Sequence, residues 1–255
     1  MRPSPDMESA FGALVRYCSS MEGKISAADL KSPHADRLFR WMRSLYARSE
    51  AELERLWAHR IIAARDPWDE LGGFPYLTYY RKLARAELAG AVTVGAIRPK
   101  VAIVLGSGPL PLTGILLARY GLRVLQVDRN AEACALGTEV VKALGHDSMV
   151  STTQADAVAI DRLAGTNDTD LVVLVSLAGV EVEEKRAIAR ALAPVLRPDA
   201  VLSARGARGL QTALRLPVES ADLEGFRVLR EMRAETGGVN SVLLAQPSRI
   251  TGQRT

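Results

Sequence analysis

Cysteine is nearly absent from this chain. Cys18 and Cys134 are the two in 255 residues, too few to staple a fold of this size. Histidine is almost as scarce, and His34, His59 and His146 show none of the spacing, with each other or with the cysteines, that a metal centre requires. A reduced, cytoplasmic protein without a structural metal is the expectation. Aromatic residues make up 5% and do not alternate with basic clusters, which removes a stacking platform for single-stranded nucleic acid. The start, MRPSPDMESA, lacks the apolar stretch of a signal peptide, and no segment reaches the roughly 20 apolar residues of a membrane span. There is no run of one charge either. The 33 basic and 29 acidic residues are scattered, so the net charge of +4 reads as a solvated surface rather than a track for a phosphate backbone.

What is present is apolar residue in quantity, 48% of the chain, enough for a sizeable core. From about residue 6 to 95 its period is helical, with one stripe at Met7, Phe11, Leu14, Val15 and Cys18 and another at Leu38, Phe39, Met42 and Leu45. Ser32-Pro33 and the capping box Ser49-Glu50-Ala51-Glu52 read as helix starts. After AGAVTVGAIRPK the pattern changes, which sets a boundary between a helical domain, 1–97, and a second domain, 98–255. Strands are expected at 101–105, 122–128, 149–153, 170–176 and 200–204, and helices at 109–120, 130–144 and 181–196. That alternation means α/β, a parallel sheet covered on both faces. FRVLREMR and VNSVLLAQ, around Thr236-Gly237-Gly238, close it as an antiparallel hairpin, and the tail SRITGQRT reads as mobile. The hairpin favours a class I methyltransferase-like Rossmann domain over a dinucleotide dehydrogenase.

The stretch VLGSGPLPLT, residues 104–113, carries the first chemical signal. Gly106 and Gly108 follow a strand and permit backbone conformations and a close approach that a Cβ would block. Two glycines alone are as consistent with packing as with a ligand. Asp128, at the end of the second strand, suits a ribose diol, and Asp156-Ala157, after the third, suits an adenine edge. Pyrophosphate is held by free amides at a helix start, yet Pro109 and Pro111 each delete one, and Pro111 stands where the third fingerprint glycine would be. An adenosine without phosphate is implied, and S-adenosyl-L-methionine fits.

Glu54 lies on an apolar helix stripe with Trp57, Ala58 and Ile61, and no Lys or Arg stands three or four residues away. Either an arginine distant in sequence neutralises it, or it is a carboxylate of raised pKa kept for catalysis. Downstream, GGFPYLTYYRKLARAE carries Tyr76, Tyr79 and Tyr80 behind Pro75. They form either an aromatic hinge or rings turned toward a sulfonium cation.

The segments SPHADRLF, SEAELERLW, DPWDELGGFPYLTYY, GSGPLPLTGILLA, SARGARG, ADLEGFRVL and VNSVLLA, spread over residues 32 to 245, resemble the nicotianamine synthase family. Within it they resemble the bacterial branch that makes histidine-derived opine metallophores such as staphylopine and pseudopaline. The resemblance implies transfer of the 3-amino-3-carboxypropyl (aminobutanoate) group, rather than methyl, from S-adenosylmethionine to an amine, with release of 5'-methylthioadenosine. It implies Glu54 and Tyr80 as catalytic residues, and Tyr76, Gly106, Ser107, Gly108, Pro109, Leu110, Thr113, Asp128, Asp156, Ala157 and Leu177 as the cofactor site. Arg205 or Arg208 would hold a substrate carboxylate. The chain departs from the plant pattern at FPYYxNY, with Leu77 and Tyr79, and at RSAHGAR, with Leu202 and Arg205. On the branch resemblance the acceptor is histidine; composition and spacing point to small-molecule partners without nucleic acid, membrane or metal, and a homodimer is allowed. The rival readings are self-condensation of S-adenosylmethionine, a small-molecule methyltransferase and a non-catalytic binding protein.

Overall fold

The computed structural model describes residues 5–21, 32–95, 98–163, 165–179, 181–233 and 241–248. Four helices come first: α1 (Pro5–Ser20), α2 (Pro33–Ala63), α3 (Pro67–Gly72) and α4 (Leu77–Gly95). The Ser32 hydroxyl caps α2 by accepting the Ala35 amide at 3.2 Å, with Pro33 in the first turn, where its missing N–H costs nothing. The second expected start is corrected, because α2 runs unbroken for 31 residues through Ser49-Glu50-Ala51-Glu52. No glycine or proline interrupts residues 34–63, so the amides there already bond one turn back and leave a capping box nothing to cap. Glu52 instead pairs with Arg55. Continuity keeps Glu50 and Glu54, four residues apart, on one helix face.

The buried seam of α2 is Phe39, Tyr46, Leu53, Trp57 and Ile61, at spacings of seven and four. Leu38 and Leu45, expected in the stripe, are instead exposed. In α1, Val15 and Cys18 are buried as the pattern requires, while the side chains of Met7 and Phe11 lie outside the described set. α4 lies directly on the sheet: a Cβ at Gly90 would come within 2.5 Å of Leu244 Cδ1.

Among the described residues, β1 (Val101–Leu105), β2 (Arg123–Asp128), β3 (Val150–Gln154), β4 (Leu171–Leu174), β5 (Val201–Gly206), β6 (Phe226–Met232) and β7 (Ser241–Pro247) form one sheet in the order 3-2-1-4-5-7-6. The pairs β3–β2, β2–β1, β1–β4 and β4–β5 are parallel. β7 runs antiparallel between β5 and β6, so the closing hairpin inserts its second strand beside β5. Its turn, Thr236-Gly237-Gly238, lies outside the described residues, as does the tail from 249 and the linker pair 96–97. Helices α5 (Leu112–Arg119), α6 (Ala131–Ala143) and α7 (Val182–Leu192) connect the strands. α5 begins three residues later than the sequence implies. Gly108 and Leu110 each precede a proline, which keeps them out of helical backbone, and Pro111 becomes the N-cap, with φ −79° and ψ 54°.

β1 is buried on both faces. Ala102 and Val104 join one core with Trp57, Ile61 and Leu112, and Ile103 and Leu105 join another with Ile188 and Leu202. The preceding helices thus share a core with one sheet face, and α2 brings Glu50 and Glu54 to the loop at the carboxyl end of β1.

Candidate active site

β1 pairs with β2 on one side and β4 on the other, so the carboxyl end of β1 is the switch point of the sheet, where open α/β folds bind ligands. A cavity of about 250 Å³ lies there, lined by Glu50, Glu54, Tyr80, Gly106–Thr113, Asp128, Ser176, Leu177, Arg205 and Arg215, among others. A second, of about 140 Å³, continues past Gly106, Asp128 and Leu177 to Asp156, Ala157 and Val158.

The loop after β1 has almost no amide to offer. Gly106 and Ser107 both donate to Val127 O, at 2.8 and 3.2 Å. Gly108 donates to Asp128 Oδ2 at 2.9 Å, the Leu110 amide faces the Glu54 carboxyl and lowers its pKa, and Leu112 donates to Leu110 O at 2.8 Å. Residues 109 and 111 are prolines, of which Pro109 lies in the loop ahead of α5 rather than in its first turn. From 106 to 112 every amide is therefore deleted or engaged by the protein, and a pyrophosphate would find no cradle. Ser107 Oγ, by contrast, is buried on the cavity wall without a hydrogen-bond partner, a polar atom that a ligand can satisfy.

Both glycines are required by their surroundings. Gly106, at φ +82°, could not carry a Cβ without meeting Ala178 Cβ at 2.7 Å. Gly108, at φ +65°, would set a Cβ 2.5 Å from Glu54 Oε2. The second glycine makes room for a carboxylate from α2.

Burial pushes the Glu54 carboxyl well above the usual carboxylate range, and Glu50 one turn back and Asp128 across the cavity push the same way, against Arg215 and the Leu110 amide. Tyr80 is held well above the ordinary phenol range by burial and by the Glu50 and Glu54 charges, so it stays a hydroxyl donor at neutral pH. Tyr80 stacks edge-on against Tyr79 at 5.8 Å and, tilted, on Phe74 at 6.5 Å. Tyr76 packs on Phe74 with ring centroids 5.8 Å apart and is not among the cavity-lining side chains.

Asp128 turns both oxygens to the backbone, Oδ2 to Gly108 N and Oδ1 to Asn130 N at 2.9 Å, which fixes its orientation with lone pairs to spare. Asp156 caps the turn at Ala157 by accepting the Val158 amide at 3.0 Å. Arg205 lines the cavity but is clamped from behind by the fully buried Glu87, through Nε at 2.9 Å and Nη2 at 2.8 Å, while Ser203 Oγ adds a third bond to Glu87 at 2.8 Å. Arg208 is half exposed, pairs with Glu231, and stands apart from the cavity.

Arg215 was not foreseen from the sequence. It is buried on the cavity wall 2.7 Å from Glu50 Oε1, with its guanidinium 4.9 Å from the Tyr46 ring centroid. Burial would lower its pKa, but the Glu50 carboxylate together with Tyr46, Tyr79 and Tyr80 more than offsets that and raises it. Glu50 itself was legible, since it sits one helical turn from Glu54; reading it as a cap residue hid it. Arg215, 165 positions away, carries no local signal. Among the described residues, no group of three or more His, Cys, Asp or Glu side chains could hold a metal ion, and no helix is long and apolar enough to cross a membrane.

Strand order and loop chemistry define a class I methyltransferase-like protein with a nucleoside-sized cleft, and solved structures agree. The mitomycin 7-O-methyltransferase, at 15% identity and a TM-score of 0.55 over 86% of this chain and 70% of that one, shares the fold. The likeness to MtNAS is greater: its complex with MTA and tNA superposes at a TM-score of 0.79 with 25% identity over 92% of this chain and 86% of that one. A variant of MtNAS in complex with S-adenosylmethionine gives 0.81 and 25% over 95% and 92%. The family model described as nicotianamine synthase protein matches residues 1–251, and the chain belongs to the nicotianamine synthase family. Among its curated relatives, probable nicotianamine synthase 2 of Hordeum vulgare is 30% identical over 98% of this chain and 76% of that protein. Nicotianamine synthase 2 of Arabidopsis thaliana is 28% identical over 96% and 78%.

Proposed function

We propose that the chain is a cytoplasmic transferase that moves the aminobutanoate group of S-adenosylmethionine onto the amine of histidine. It releases 5'-methylthioadenosine and serves the assembly of an opine-type metallophore. One observation carries the reading: Glu54 opens onto a loop whose amides are spent, so the site offers a buried carboxylate where a phosphate binder would offer N–H groups. That chemistry selects a cationic nucleoside over an anionic one.

In this reading the adenine occupies the smaller cavity beside Asp156, Ala157 and Leu177. The ribose meets Asp128, Ser107 Oγ gains its missing partner, and Tyr80 turns ring and hydroxyl toward the sulfonium arm. Tyr76 supports Tyr80 through Phe74, and Arg205 answers a substrate carboxylate. Residues 1–97 cap the carboxyl ends of the strands in residues 98–255 and exclude water.

The amine lone pair forms the N–Cγ bond as the Cγ–S bond breaks, the bonding pair passes to sulfur, and the proton leaving nitrogen passes to Glu54. Holding the partners in line supplies about 7–11 kcal/mol, and a positioned base about 100- to 10,000-fold in rate. Placement is the larger share. Histidine is supported by the bacterial-branch resemblance alone.

The test is incubation with S-adenosylmethionine and L- or D-histidine, with products identified by mass spectrometry. The expected products are 5'-methylthioadenosine and a histidine carrying one aminobutanoate. S-adenosylhomocysteine and a methylated amine would overturn the reading. The names of the relatives favour one alternative, condensation of S-adenosylmethionine with itself. It predicts 5'-methylthioadenosine at full rate with no histidine added.

A further inference from the structure

Three carboxylates converge on this cleft, and the cations beside them are already committed. Glu50 and Glu54 descend from α2 one turn apart, and Asp128 faces them from the end of β2, holding the amide of the same Gly108 whose Cα abuts Glu54. Arg215 stands 2.7 Å from Glu50, Arg205 is clamped by Glu87, and Arg55 is shared between Glu52 and Glu132. Tyr80 from α4 lines the cleft and Tyr46 from α2 lies against Arg215, both as neutral hydroxyls. Among the described residues Glu54 therefore faces two acids and no uncommitted cation, and burial and the neighbouring acids hold its carboxyl well above the usual range against the pull of Arg215.

Such a carboxyl can ionise cheaply in one circumstance, the arrival of a fixed positive charge. Resting on the nucleoside assignment made above, we infer that the Glu50–Glu54 pair keeps one proton, on Glu54, in the ligand-free protein and surrenders it to solvent when a sulfonium is seated beside it. One charge enters as one leaves, so the net charge of the cleft is unchanged. The exchange also closes the reaction cycle. Glu54 becomes a proton acceptor only once the donor nucleoside is bound. When the N–Cγ bond forms, sulfur becomes a neutral thioether, the amine proton passes to Glu54, and the protonated state of the ligand-free protein is restored.

Calorimetry of S-adenosylmethionine binding near neutral pH, in two buffers of different ionisation enthalpy, reads this directly. The expected heats differ between buffers by the release of up to about one proton per nucleoside. S-adenosylhomocysteine, with the same amino-acid arm on an uncharged sulfur, should bind without that release. Glu54→Gln should bind S-adenosylmethionine without it as well. Glu50→Gln frees Arg215 to neutralise Glu54 beforehand, so it too should lose the release while keeping Glu54. Binding of S-adenosylmethionine with no buffer dependence, or equal release by the thioether, overturns the inference and leaves the nucleoside assignment standing. Failure of S-adenosylmethionine to bind at all overturns both.

Discussion

Glu54 Oε2 occupies the space that any side chain on residue 108 would need: a Cβ built there lies 2.5 Å away, on a backbone with φ +65°. Helix α2 and the glycine loop are locked together at this point. The glycine that sequence reasoning assigns to ligand approach is demanded first by the protein's own carboxylate.

Gly108→Ala should therefore fail twice. The left-handed backbone costs an L residue about 1–2 kcal/mol, and the methyl displaces Glu54. The expected outcome is a modest fall in melting temperature with a far larger fall in 5'-methylthioadenosine release. A loss of activity no greater than the loss of folded protein would contradict this.

Glu54→Gln keeps shape and removes the proton acceptor. Turnover should fall by about 100- to 10,000-fold, with nucleoside binding retained. The same variant should stabilise the ligand-free fold. A carboxyl whose folded pKa lies above its unfolded one holds more protons folded than unfolded, so its contribution declines as pH rises from the ordinary glutamate range through the raised value. Melting curves should show the variant ahead of wild type at neutral pH, with the gap closing in acid.

Lys185 is fully buried, and its Nζ donates to Ser176 O at 3.1 Å and Ala178 O at 2.8 Å. It thereby pins the loop that walls both cavities. Burial lowers its pKa to about 8, against the Glu184 and Asp222 charges. The unfolded chain binds the extra proton above that value, so wild type should gain stability relative to Lys185→Met from about pH 8 up to the ordinary lysine range. The slope should approach ~1.4 kcal/mol per pH unit. Lys185→Met should also weaken nucleoside binding, which titration calorimetry would read.

Glu87→Gln leaves the Arg205 guanidinium buried without its counter-charge. Urea denaturation should show a loss of about 3–5 kcal/mol, and adding Arg205→Met should restore part of it. Strict additivity of the two single changes would show that the pair is not coupled.

Arg208→Ala should leave turnover and substrate KM unchanged, because that side chain is paired with Glu231 away from the cleft. A raised KM for the acceptor would return it to the substrate site.

The strands, their parallel order up to β5 and the closing hairpin were readable because β-branched runs alternate with amphipathic helices. Such periodicity is local. The errors were local signals overruled by context: a capping box inside a continuous helix, and a helix start delayed by two prolines. Glu54 was legible because an acid on an apolar stripe without a partner one turn away is conspicuous in one dimension.

The sequence by itself determined an α/β chain with a glycine loop hostile to phosphate and one anomalous glutamate. Tertiary structure alone decided which arginine serves which acid. Arg215 reaches Glu50 across 165 positions and Arg205 reaches Glu87 across 118. Short periodic patterns specify helices and strands, whereas the pairing of buried charges depends on distances through space that no spacing along the chain encodes.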